Sequence, residues 1–246
     1  MKKQTKKTNI LEKAVKRADT ALDALDFIAD CILDVNDDIT AIMERDPAAT
    51  SKSEVLLLYS GLHAVMAHRV AHKINKKHPL AARAISQAAK FATGIEIHPG
   101  ATIGKGLFID HGCGVVIGET AEIGDNCTIY QGVTLGGTGK DTGKRHPTLG
   151  NDVMVGAGAK ILGPFMIGDN SKIAANAVVL AEIPENCTAV GIPAKIVRKE
   201  GQKVIDQLDQ VNVPDPVAQQ IKALEQKLSD LEFQLEQLTS KTKSKR

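Results

Sequence analysis

One aliphatic side chain recurs at every sixth position through the middle of the chain. Ile97, Ile103, Ile109 and Val115 form a first run, and Ile117, Ile123, Ile129 and Leu135 a second. Leu149, Val155, Ile161, Ile167, Ile173 and Val179 form a third. Neither the helical period nor the strand period yields a six-residue repeat sustained this long, whereas the stacked coils of a parallel β-helix do. The aliphatic residue points into the prism. A small residue usually follows it, as at Gly104, Gly118, Gly124, Gly136, Gly150, Gly156, Gly168 and Ala174, and is read as letting the chain turn a corner without a Cβ clash. Three hexads close one triangular coil, so residues three hexads apart are expected to stack. The rhythm stops at 136–148, GGTGKDTGKRHPT, which is polar and glycine-rich. That stretch reads as a loop thrown out from a rigid scaffold, where function tends to concentrate.

The flanks keep a helical period. Leu22, Leu25, Ile28 and Ile32 lie three and four apart, predicting a helix from Ile10 to about Arg45 behind a basic tail of residues 1–9. Pro47 disfavours helix at Asp46. Ser51 or Ser53 can cap a second helix running to about Lys76, and Pro79 opens a third that ends near Ala92. Beyond VPDP at 213–216, Val217, Ile221, Leu224, Leu228, Leu231, Leu235 and Leu238 alternate steps of four and three. That is a coiled-coil seam of three heptads, which needs partner helices; the alternative is one amphipathic helix packed on the body. The tail SKTKSKR is expected to be disordered. The predicted organisation is therefore α+β: an N-terminal helical region (1–93), a β-helix domain (94–200), and a linker with a heptad helix and tail (201–246).

Composition removes several function classes. With 31 Lys and Arg against 29 Asp and Glu, the net charge is +2, too mild to argue for nucleic acid. Aromatics are 3% with no Trp, which leaves no base-stacking platform. No apolar run is long enough for a membrane span, and the basic start lacks an apolar region behind it, so a cytoplasmic protein is expected. Cys31, Cys113, Cys127 and Cys187 form no CxxC pair and are expected to be small buried hydrophobes.

Set into this scaffold are polar groups that packing alone does not require: Glu96, His98, Asp110 and His111 within GIEIHPGATIGKGLFIDHGCG. Together with RDPAA, LYSGLHAVMAHRVAH, IDHGCGVVIGET, QGVTLGGTGK, KRHP, GAGAKILG and GIPAK, they make the chain from about Asp46 to Arg198 resemble the serine O-acetyltransferases of the hexapeptide-repeat acyltransferase superfamily. The hexads alone are specific to the superfamily; DHG, the GGTGK…RHP loop and RDPA are specific to the serine enzymes. The resemblance implies a left-handed parallel β-helix, packed as a homotrimer with active sites between subunits. It implies transfer of acetyl from acetyl-CoA to the hydroxyl of L-serine in a ternary complex, as the first step of cysteine biosynthesis. It also implies inhibition by L-cysteine at the serine site, no permanently bound cofactor and no metal.

The resemblance also distributes roles. His111 in DHG matches the general base that takes the serine proton, and Glu96 the carboxylate that orients it; the family often has Asp there. Asp46 and Asp110 match the carboxylates around the substrate ammonium. Arg145 and His146 match the groups that hold its carboxylate, a task that suits the planar guanidinium fork. His98 reads as structural or supporting. For acetyl-CoA, a groove of small residues is expected at Gly137, Thr138, Ala157, Gly158 and Ala175, with Lys160 and Lys195 toward the phosphates. GGTGK is not a P-loop, because GxxxxGK[ST] and a following helix are missing. Two departures bear on partners. The N-terminal helical part is shorter than in members that pair two trimers, so a dimer of trimers stays open. The chain ends in Arg246 and not the Ile with which members dock into O-acetylserine sulfhydrylase, so that complex is not expected.

Three rival readings stay open at this level. A sugar acetyltransferase would have no use for RDPA and RHP. A zinc lyase of the γ-carbonic anhydrase kind could draw on His98, His111 and His146 but lacks a close His pair within one coil. A non-enzymatic trimeric scaffold would not need the set of serine-site residues.

Overall fold

The computed structural model describes residues 35–139, 142–199, 221 and 224–232. The expected helix before residue 35, most of the heptad seam, Cys31 and the terminal tail lie outside the described residues. Helix α1 (35–45) leads to the Asp46–Pro47 break. Ser51 caps α2 (Lys52–Leu58), its Oγ accepting the Glu54 N–H. The predicted single helix to Lys76 is broken at Tyr59, whose extended backbone (φ −86°, ψ 105°) separates α2 from α3 (Ser60–Asn75). Gly61 lies so close to Ile109 that a Cβ there would sit 2.1 Å from its carbonyl oxygen, so α3 can meet the prism only through a glycine. Pro79 opens α4 (Pro79–Thr93), and Gly94 in the left-handed region (φ 74°) ends it.

Three parallel faces follow. The first stacks β1 (Glu96–Ile97), β4 (Val116–Ile117), β7 (Thr134–Gly136), β10 (Lys160–Leu162) and β13 (Val178–Val179). The second stacks β2 (Thr102–Ile103), β5 (Glu122–Ile123), β8 (Thr148–Leu149) and β11 (Met166–Ile167). The third stacks β3 (Phe108–Asp110), β6 (Thr128–Tyr130), β9 (Met154–Val155), β12 (Lys172–Ile173) and β14 (Cys187–Val190), and β15 (Lys195–Lys199) joins β14 antiparallel. The hexad residues form the core, together with the residues two positions before them, such as Ile95, Val115, Val133, Ala159 and Ala177. Each hexad thus sends two side chains inward, and the hydrophobic effect acts on both columns.

Coil length departs from the expected three hexads in three places, the last being the final coil, where Ile167 stacks on Ile183 and Ile173 on Ala189, each only sixteen positions on. Ile97 stacks on Ile117, twenty positions on, while Ile117 stacks on Leu135 and Leu149 on Ile167, each eighteen on. The first coil therefore holds two surplus residues between Ile109 and Ile117. Val115, the fourth member of the first run, belongs to the inner column beside Ile117. The second irregularity is the expected loop, which makes Ile123 stack on Leu149.

The corners also differ from expectation. The small residue after each aliphatic step has ordinary φ. It is needed because the next coil passes close by: a Cβ on Gly124 would lie 2.6 Å from the Gly150 carbonyl oxygen. Left-handed φ falls elsewhere, on Gly106, Asn126, Asp152, Asn170 and Asn186 at one edge and on Gly114, Gly132, Gly158 and Asn176 at another. Asn and Asp tolerate that region better than other residues with a side chain. Cys127 and Cys187 are buried as expected, and burial pushes the Cys127 thiol up to about 12. Cys113 is exposed, because it belongs to the two-residue surplus that bulges from the corner.

The helices are bolted to the prism by buried charge. Asp38 accepts hydrogen bonds from Arg69 Nε (3.0 Å) and Nη2 (2.8 Å) and from the Gly106 N–H (2.9 Å). Arg45 donates to the carbonyls of Gly106, Asn126 and Cys127 and to Thr128 Oγ1. His68, buried in α3, has no hydrogen-bond partner at Nδ1, and burial pushes its pKa down to about 3. Below pH 6.5 the unfolded chain takes up a proton that the folded ring refuses. The neutral ring's contribution is thus complete above that pH and is lost as pH falls toward 3. Between pH 7 and pH 5 the loss is about 2 kcal/mol. Urea unfolding at the two pH values should show it in the native chain, and His68→Leu should lose that part of the dependence.

Candidate active site

Two polar clusters stand at different edges of the prism. The first lies where the third face turns into the first. The two surplus residues of the first coil push His111 outward, with φ 57° and a side chain 76% exposed. A non-glycine residue in the left-handed region is strained, and such strain concentrates at functional positions. Asp110 Oδ1 lies 3.8 Å from His111 Nε2. The helical part delivers two further groups. Asp46 closes a turn through Oδ1, which accepts the Ala48 N–H (2.8 Å), while its Oδ2 accepts the Tyr59 hydroxyl (2.8 Å). Burial raises the Asp110 carboxyl, and the neighbouring Asp46 adds to the rise. Two carboxylates close enough to feel each other form a place for a cation. Tyr59 was not singled out in the sequence; only the helix break reveals it.

The second cluster lies where the first face turns into the second. Arg145 Nη2 donates to Glu119 Oε2 (2.5 Å), and that bond holds the Glu119 carboxyl below its ordinary range. Thr120 organises the returning end of the loop: its Oγ1 accepts the N–H groups of Arg145 (3.0 Å) and His146 (3.2 Å). The Thr120 N–H donates to His146 Nδ1 (3.1 Å), which places the proton of the neutral ring on Nε2. The ring packs over Gly118, where a Cβ would lie 2.0 Å from its Cδ2. His98 likewise accepts at Nδ1, from the Gly100 N–H (3.0 Å). Burial first, then the guanidinium of Arg145 for His146 and of Arg83 for His98, keeps both imidazoles below their usual range and so neutral. Glu119, Thr120 and Arg83 are members of this cluster that the sequence analysis did not single out.

Glu96 belongs with the second cluster. Lys90 of α4 bonds its carboxylate and holds it below its ordinary range, and among the described residues no hydrogen bond or ion pair joins it to His111. One Nη of Arg83 is buried beside this group without a hydrogen-bond partner.

The expected groove residues spread along the first face. Ala157 and Gly158 precede β10, Lys160 lies on it and donates to the Gly132 carbonyl, and Ala175 sits one coil on. Gly137 and Thr138 leave the far end of β7, where Gly137 lies against the Arg145 backbone. Lys195 stands apart on β15. Among the described residues, no group of three or more His, Cys, Asp or Glu could hold a metal ion, so His98, His111 and His146 do not converge.

A parallel β-helix of hexads with an ejected polar loop defines a hexapeptide-repeat transferase. The family model for the bacterial transferase hexapeptide (six repeats) matches residues 146–181, and the model for the N-terminal region of serine acetyltransferase matches residues 3–67. The serine acetyltransferase of Bacillus subtilis is 55% identical over 203 residues, covering 82% of this chain and 94% of the relative. The Neisseria gonorrhoeae serine acetyltransferase in complex with serine has a TM-score of 0.67 at 44% identity, covering 69% of this chain and 70% of that one. A serine acetyltransferase in complex with cysteine has a TM-score of 0.72 at 42% identity, covering 75% and 73%. This chain belongs to the serine acetyltransferase family and is an acyltransferase.

Proposed function

We propose that the protein transfers acetyl from acetyl-CoA to the hydroxyl of L-serine, giving O-acetyl-L-serine and CoA in the cytoplasm as the first step of cysteine biosynthesis. The observation that carries this reading is the split between the two clusters. Serine is a zwitterion. The Asp46–Asp110–Tyr59 group suits its ammonium and the Arg145–His146 group its carboxylate, yet one chain holds the two at separate prism edges. A homotrimer lets one subunit's first edge meet its neighbour's second, and the substrate then bridges them. His111, exposed beside the ammonium site, takes the hydroxyl proton as the oxygen attacks the thioester carbonyl. A base at that point contributes about 10²- to 10⁴-fold. The carbonyl collapses with release of CoA thiolate, and the imidazolium returns its proton to the sulfur. In the assembled site Glu96 exchanges Lys90 for the imidazole and steadies its charged form. Acetyl-CoA lies along the first face, past Gly158, Ala157, Ala175, Gly137 and Thr138, with Lys160 and Lys195 toward its phosphates. No cofactor is retained between turnovers, and L-cysteine, which carries the same ammonium and carboxylate, competes for the serine site. Among the described residues no helix is long and apolar enough to cross a membrane.

The test is thiol release from acetyl-CoA with L-serine as acceptor, run with and without cysteine; turnover with a sugar but not with serine would overturn the reading. Subunit sharing has its own test. His111→Ala and Arg145→Ala are each expected to turn over poorly at low serine, the second through a raised KM. Random mixing of the two within trimers leaves about one boundary in four with both native halves, so about a quarter of native activity should return. No recovery would place the whole site in one chain.

A further inference from the structure

We infer that the C-terminal helix is one strand of a parallel three-stranded coiled coil, formed with the same helix of the other two subunits. This rests on the trimer proposed above and goes beyond it, because it assigns a second contact that holds the assembly together.

The described part of that helix, α5 (224–232), together with Ile221, carries an uncovered apolar stripe. Ile221, Leu224, Leu228 and Leu231 are 51%, 64%, 59% and 61% exposed, so the body of their own chain does not cover them. Every other residue from 225 to 232 is polar, and Gln226 donates to Asp230 (3.2 Å) along the outer side. The stripe steps three, four and three, which puts Ile221 and Leu228 at a positions and Leu224 and Leu231 at d positions. Glu225 and Glu232 then fall at e and Lys227 at g.

The flanking charges select the occupant. In a parallel pair of identical helices, a g residue faces the e′ residue five positions on, so Lys227 meets Glu232 of its partner. In an antiparallel pair, e faces e′ and g faces g′, which would set Glu against Glu and Lys against Lys. The stripe is thus complementary to a second copy of itself running in the same direction. Its a and d residues mix Ile and Leu and do not fix the strand number. The trimeric body does that, by bringing three copies together at millimolar effective concentration. A seam of three heptads is marginal as separate peptides and becomes favourable once tethered. Residues 200–220 separate β15 from Ile221, a covalent reach of up to roughly 70 Å, ample for three chains to converge.

The experiment uses the full chain in sedimentation analysis over serial dilution, with acetyl transfer measured alongside. Leu228→Asp, at the centre of the stripe, should raise the concentration at which the trimer dissociates by about tenfold or more, and Ser229→Asp on the outer side should leave it unchanged. Lys227→Glu should weaken the trimer, and Lys227→Glu with Glu232→Lys should restore it. That rescue reads an interhelical contact, since the two residues are not neighbours within one helix. At high protein concentration all four variants should acetylate serine at the native rate. A trimer that is active but indifferent to Leu228→Asp, or that is not rescued by the double swap, overturns the coiled coil and leaves the active-site reading standing. A dimer that depends on the stripe overturns the three-stranded count. A monomeric or serine-inactive chain overturns both readings.

Discussion

Replacing His111 by Asn is expected to lower kcat for acetyl transfer by about 10²-fold or more while the protein stays folded and trimeric. The choice of Asn follows from the backbone. At φ 57° an Ala side chain costs about 1 kcal/mol of local strain, whereas Asn adopts that region readily, so loss of activity reports chemistry and not a displaced corner. The exposed ring gives up little packing when removed. A variant within a few-fold of native turnover would dismiss His111 as the base.

The second large effect concerns stability. Asp38 is fully buried, and its carboxylate answers both Arg69 and the Gly106 N–H. Truncation to Ala removes one side of a buried ion pair, and the Gly104 carbonyl (3.0 Å) is among the acceptors the guanidinium keeps. Breaking such a pair from one side costs about 3–5 kcal/mol, far more than the pair itself contributes. The loss should appear as a lower thermal midpoint of the assembled protein. A functional consequence should follow, because α1 leads directly into Asp46 and its own Arg45 is anchored to the same edge of the prism. Loosening that helix is expected to raise KM for serine with little change in kcat. A variant with a native midpoint would mean that Arg69 finds a replacement acceptor, and the bolt would not be the element that sets Asp46.

The hexads were legible because burial imposes them. Each strand residue that points inward must be aliphatic, and the spacing survives whatever the outer positions do. The twenty-residue first coil was not legible. Val115 continues the six-residue count from Ile109 and Ile117 begins the next run, and both are buried, one in each inner column. Periodicity therefore hid the surplus that pushes His111 and Cys113 outward. Motif residues in the loop and in DHG stood out by type. Tyr59, Thr120 and Glu119 did not, since their roles come from a helix break and from contacts across coils that no local spacing encodes. Lys90 likewise claims Glu96 from a helix that pattern alone treats as packing.

The antiparallel run of β15 against β14 bears on how the molecule terminates. A stack of parallel coils exposes, at its last turn, a ladder of backbone groups ready to template another coil of the same polarity. A strand of opposite polarity occupies that ladder on the third face, while Gly61 of α3 lies against Ile109 at the opposite end of the same face. On that face, head-to-tail growth by addition of another parallel coil is thereby opposed at both ends.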